Sequence, residues 1–174
     1  MKTASGLMLA ALLLGGPVAC VSETVQTAPE RDRHAPAKPS RPAGVVPEQM
    51  TLSAGAPSDS DGNLFPDMIP VVVFLFGDTR RYELPITAKG TFEFFLAGPD
   101  GAELGHWVFA PDDAARAVGE TMAGKCYRFA LRMAPDRDRM SSRPASLRAI
   151  FTNSETNERV FSPGTTTIRV GAGE

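Results

Sequence analysis

Groups that move protons or hold soft metals are scarce in this chain. It has two histidines, His34 and His106, and two cysteines, Cys20 and Cys126, in 174 residues. General acid–base work rests most often on histidine, so this supply bounds the enzymology. His34 falls in a proline-rich stretch that cannot preorganise it. His106 precedes Trp107 in a strand-like run, which sends the two side chains to opposite faces. It reads as a surface or satisfied strand histidine. One histidine and one cysteine in an ordered region are too few soft ligands for structural zinc. The sequence contains no Gly-rich phosphate loop and no nucleophile elbow.

Two acidic runs remain. Residues 58–63 (SDSDGN) alternate acids ahead of a glycine, as calcium loops do. Position twelve counted from Asp59 is Pro70, however, where such a loop carries a bidentate glutamate, so the run reads as the solvated end of a linker. Asp136, Arg137, Asp138 and Arg139 read as a solvated loop that doubles as a polar contact surface. Trp107 is either a sugar-stacking platform or a core residue between sheets, and the core reading is preferred. The residues thus nominate no catalytic group, no metal site and no cofactor.

The one modification that the pattern does nominate is at Cys20. Lys2 supplies a positive start, residues 7–14 (LMLAALLL) an apolar stretch, and Gly15, Gly16 and Pro17 end it. The apolar stretch is far below the ~20 residues that a bilayer needs, so residues 1–19 read as a cleaved signal peptide. Val18-Ala19-Cys20 is similar to the end of a bacterial lipobox, in which the cysteine thiol takes a diacylglycerol and becomes the new N-terminus. Pro17 stands where that pattern has Leu, and plain secretion to the periplasm or beyond is the alternative. If Cys20 carries lipid, Cys126 has no disulfide partner and reads as a small buried apolar residue. The expected location is the cell envelope, outer membrane foremost.

Cleavage removes Lys2 and no acid, so the net charge moves from −2 to −3. No clustered basic face suggests nucleic acid. Residues 20–63 hold Pro29, Pro36, Pro39, Pro42, Pro47 and Pro57 with no aromatic residue, a composition that cannot offset its ordering entropy. They read as a flexible linker with a reach of roughly 35–40 Å. Residues 49–52 are the one patch in it that could add an edge strand.

From Leu64 the composition changes. Residues 71–76 (VVVFLF) read as a strand buried on both faces. Residues 91–96 and 105–109 flank the Gly98-Pro99-Asp100-Gly101 turn. Residues 110–121 read as a short helix, with Pro111 at its first position, Asp112 and Asp113 in its first turn, and an apolar stripe through Ala114, Ala115, Ala117 and Val118. That stripe is expected to cover the second face of residues 71–76, with a partner protein as the alternative cover. Residues 127–133 alternate cleanly, and residues 147–152, 160–161 and 165–170 complete the set. Six or seven short strands with one helix make residues 64–170 a small antiparallel β-sandwich, immunoglobulin-like or similar, with residues 171–174 as a tail. At that size the domain folds without a disulfide.

The order Leu75-Phe76-Gly77-Asp78, Leu84-Pro85, Lys89-Gly90-Thr91, Trp107-Val108-Phe109, Gly124 through Tyr127 to Leu131, and then residues 147–152 resembles a group of uncharacterised secreted or lipoprotein β-sandwich proteins of planctomycete-type bacteria. The resemblance implies fold and compartment and supplies no catalytic residues. The expected function is that of a non-catalytic, membrane-anchored domain, monomeric in itself, that binds or organises a protein or glycan partner. A carbohydrate-binding module, with Trp107 and Phe95 exposed together, is the alternative. A hydrolase with an unrecognised acidic site is the remoter one.

Overall fold

The computed structural model describes residues 39–135 and 137–172. Cys20, His34 and the signal segment lie outside these residues. Nine strands and one helix follow in the order β1 (Gln49–Ala54), β2 (Met68–Phe76), β3 (Gly90–Ala97), β4 (Glu103–Phe109), α1 (Pro111–Arg116), β5 (Val118–Thr121), β6 (Gly124–Arg132), β7 (Arg143–Asn153), β8 (Arg159–Phe161) and β9 (Thr166–Val170). They form two antiparallel sheets. The four-stranded sheet runs β1-β2-β6-β5, and the five-stranded sheet runs β4-β3-β7-β8 with β9 also paired to β7.

Alternation of side chains decides what each sheet buries. In β2, Ile69, Val71, Val73 and Leu75 face inward, and in β6 Tyr127, Phe129 and Leu131 meet them. From the other sheet come Phe92, Phe94 and Leu96 of β3 with Leu147, Ala149 and Phe151 of β7. The aromatic centre is Phe92, whose ring lies 4.7 Å from Tyr127, 5.0 Å from Phe129 and 4.8 Å from Phe151. The phenol of Tyr127 donates to Ala88 O and accepts from Ala88 N, both at 2.8 Å. Burial pushes its pKa up, with the Ala88 amide and the charge of Arg41 acting the other way.

The folded region starts well ahead of Leu64. β1 pairs with β2 over its whole length, from Gln49 opposite Phe76 to Ala54 opposite Val71. Before it, Val45 is buried and packs so closely on Gly77 that a Cβ there would lie 2.4 Å from Val45 Cγ1. Arg41 donates to Thr87 O and Val45 O, and Tyr82 Oη donates to Pro39 O. The proline-rich stretch reads as flexible apart from a candidate edge strand at residues 49–52, and that strand forms as β1. Met50 and Leu52, at alternate positions, give it an apolar stripe that only pairing with β2 can bury.

Two local expectations also change. Residues 71–76 are not buried on both faces, because Val72, Phe74 and Phe76 are half-buried on the outer side of the sheet. An unbroken apolar run does not distinguish two-sided burial from one covered and one partly covered face. The helix is shorter than expected, since Gly119 and the turn after Thr121 favour a hairpin, and residues 118–121 become β5 against β6. α1 packs on β3 and β4 rather than over Val72, Phe74 and Phe76, with Ala114 in the core. Val118 is 41 % exposed and lies in β5 opposite Tyr127.

Candidate functional site

The outer face of the five-stranded sheet carries a cavity of about 790 Å³. Period-two alternation places its parts. Phe95 stands opposite Arg148 across β3 and β7, and Ile150 stands opposite Phe161 across β7 and β8. The inward neighbours of these residues fill the core, so the outward set must face solvent. The Gly98–Gly101 turn closes one side of the groove, and Ser162, Gly164 and Thr165 close the other. Phe161 is 58 % exposed, with the Arg159 guanidinium 5.3 Å above its ring. The Nε of Arg148 donates to Thr165 Oγ1 at 3.3 Å, and the guanidinium lines the groove. The arrangement is an apolar trough with one cation and several small hydroxyl side chains. Such a mixture binds by burial and fixes orientation with few polar contacts.

His106 lies on the same face, directly opposite Phe95, and stacks on it at 4.5 Å and 14°. Its Nε2 is 3.8 Å from Glu93 Oε2. This histidine–acid pair sits on an open sheet surface. The neighbouring hollow around Glu103, Leu104, Trp107, Arg132 and Arg137 offers no Ser, Thr, Cys or Lys among its lining residues.

Trp107 faces the other way. It folds back over Gly105, where a Cβ would lie 2.2 Å from the indole, and its Nε1 donates to Arg132 O at 2.7 Å. The indole therefore ties the edge of one sheet to β6 of the other and is spent on structure. Phe95 and Trp107 are not exposed together, which removes the aromatic pair on which the sugar-platform reading depended. The aromatic pair actually presented by the outer face is Phe95 with Phe161. Sequence reading missed Phe161 because β8 has only three residues, too few for a period to register. Cys126 is a fully buried thiol.

The 58–67 segment is folded onto the domain. Ser58 pairs with Met68, and Asp67, 4 % exposed, accepts from Ser60 Oγ and Ser60 N, both at 2.6 Å. These two bonds hold its carboxyl below the ordinary range, with Arg132 assisting. Asp59 is also held low. Partial desolvation pushes it up, but the amides of Leu64, Gly62 and Asn63 outweigh that. Among the described residues no helix is long and apolar enough to cross a membrane. No protein-family model matches the chain, and a search of curated proteins finds no match either.

Proposed function

We propose that the domain is a non-catalytic binding module of the cell envelope, held by lipid on Cys20, whose groove beside Arg148 receives a segment of a partner protein. The groove itself carries this reading. Phe95, Ile150 and Phe161 wall it, and Arg148 is the one charged side chain among its described lining residues. A guanidinium pairs bidentately with a carboxylate, and exposed aromatic rings gain most from being covered. The matching partner segment presents an apolar side chain next to an Asp, a Glu or a chain terminus. The open setting of the Glu93–His106 pair supports binding over hydrolysis.

The test is photo-crosslinking in cells from a probe placed at position 161 of the full chain. A discrete adduct is expected, reduced about tenfold or more by Arg148→Glu, since an interfacial charge lost from a groove costs at least that factor. The same probe at Met122, exposed on the hairpin between β5 and β6, should give none. Equal adducts from both positions, or none from position 161, would remove the groove from consideration. Binding to glycans in place of a protein adduct would favour the carbohydrate module.

Anchorage rests on residues 1–20 and on the resemblance to envelope lipoproteins of planctomycete-type bacteria. Radiolabelled palmitate is expected to enter the wild-type protein and to be absent from Cys20→Ser. A mature N-terminus downstream of Cys20, or label retained in the variant, would sink the anchor.

A further inference from the structure

We infer that the groove beside Arg148 takes an extended segment of its partner, lying along β7, in which an apolar side chain and an acid stand two residues apart. This rests on the groove being the binding site, and it specifies the shape and spacing of what enters. Register carries it. Ser146, Arg148 and Ile150 hold alternate positions of β7 on the outer face, and all three line the cavity. They make a floor that follows one strand for about 13 Å, at a rise of ~3.3 Å per residue.

The walls are the neighbouring strands and what continues them. On one side stand Phe95 and Ala97 of β3, extended by the Gly98–Gly101 turn. On the other side the edge strand bulges. β8 pairs Phe161 with Ile150 and β9 pairs Thr166 with Leu147, so five steps along the edge are matched by three along β7. The surplus is taken up in residues 162–165, beside Arg148, where Gly164 has φ +63° and a Cβ on it would meet nothing within 4 Å. Ser162 keeps the edge attached, since its N–H donates to Ala149 O and its Oγ accepts from Ala149 N. Bulges of this kind interrupt an edge and re-aim side chains beside functional sites.

Width excludes a helix. β3 and β8 each lie one strand spacing from β7, about 4.8 Å, so the walls stand about 10 Å apart at their backbones. An α-helix with its side chains is about 10–12 Å across and would ride over the rims. An extended chain enters, and every second side chain then points to the floor, with the same period as β7. The one over Ile150 also meets Phe161, which stands opposite Ile150, and is apolar. The one over Arg148 is acidic, because the guanidinium has no carboxylate partner among the described residues while Thr165 holds its Nε. The one over Ser146 is small or hydroxylated. The floor continues past Arg148 in both directions, which favours an internal Asp or Glu over a chain terminus.

The experiment is fluorescence polarisation of two labelled heptapeptides with the full chain, TLTDTST and its isomer TLDTTST, in which Leu and Asp are adjacent. Threonine at the other positions favours extended backbone. The first should bind at least about tenfold more tightly, because in the isomer only one of Leu and Asp can face the floor. Arg148 is exposed, so Arg148→Glu keeps the fold. That variant should bind TLTDTST about tenfold or more weakly than the wild type does and should prefer TLTKTST to it. Equal binding of the two isomers, or TLTDTST binding untouched by Arg148→Glu, would overturn the spacing and leave the groove standing where the probe at position 161 still gives its adduct. Neither peptide binding while that adduct persists would overturn the extended occupant alone. Neither peptide binding and no adduct would remove the groove itself.

Discussion

A chain shortened to begin at Leu64 is expected to lose cooperative folding, whereas one beginning at Pro39 should keep it. The shorter chain lacks β1 and the residues ahead of it. That removes Val45, Met50 and Leu52 from the core, which are 4 %, 3 % and 9 % exposed. Burying a side chain of this size contributes about 1.5–3 kcal/mol, so the three together are worth roughly 4.5–9 kcal/mol. Whole domains are stable by only about 5–15 kcal/mol. The loss also bares the edge of β2, a nine-residue strand reading MIPVVVFLF, with its pairing groups free. Long apolar edges of that kind template aggregation. Circular dichroism melts and size-exclusion chromatography of the two shortened chains give the answer. A cooperative, monomeric melt of the Leu64 chain within about 10 °C of the longer one would show that β1 is dispensable.

Most of the sandwich is legible in the sequence because its strands alternate. Tyr127, Phe129, Leu131 and Met133 can only be one face of a strand, and the structure buries all four. The turn at Gly98-Pro99-Asp100-Gly101 is written in residue types that few other conformations accept. What escapes reading is information that sits elsewhere in the chain. β1 is legible only as a candidate edge strand over residues 49–52, since QMTLSA between prolines is a weak pattern until β2 lies beside it. β5 is four residues long and reads as the continuation of a helix until β6 is there to pair with it. The groove depends on β3, β7 and β8 lying side by side, which brings Phe95, Arg148 and Phe161 together from 66 residues of sequence. Asp138 presents the same difficulty. As one of four alternating charges it reads as solvated, and only the folded chain shows it buried against Asn63.

Phe92→Ala is expected to cost about 3–5 kcal/mol, the range for truncating a fully buried phenylalanine. The upper half of that range is favoured by what surrounds the ring. Phe92 is 0 % exposed and touches aromatic rings of both sheets, Phe151 on its own and Tyr127 and Phe129 on the opposite one. A cavity costs least where its walls can move inward. Here Tyr127 is pinned at both its hydroxyl lone pair and its proton by Ala88, and Phe151 is held in an eleven-residue strand between Phe92 of β3 and Val160 of β8. Neither can follow the missing ring. Phe95→Ala is the matched control, since Phe95 is three residues further along the same strand on the outer face, half-buried against His106. Its loss removes a stack at the surface and leaves no enclosed void, so about 1 kcal/mol or less is expected. Urea denaturation at constant m-value measures both. A Phe92→Ala cost below about 1.5 kcal/mol, or equal costs for the two variants, would mean that the sheets do not face each other across Phe92. The same result would put the outward set of β3, and with it the groove beside Arg148, on the wrong side of the sheet.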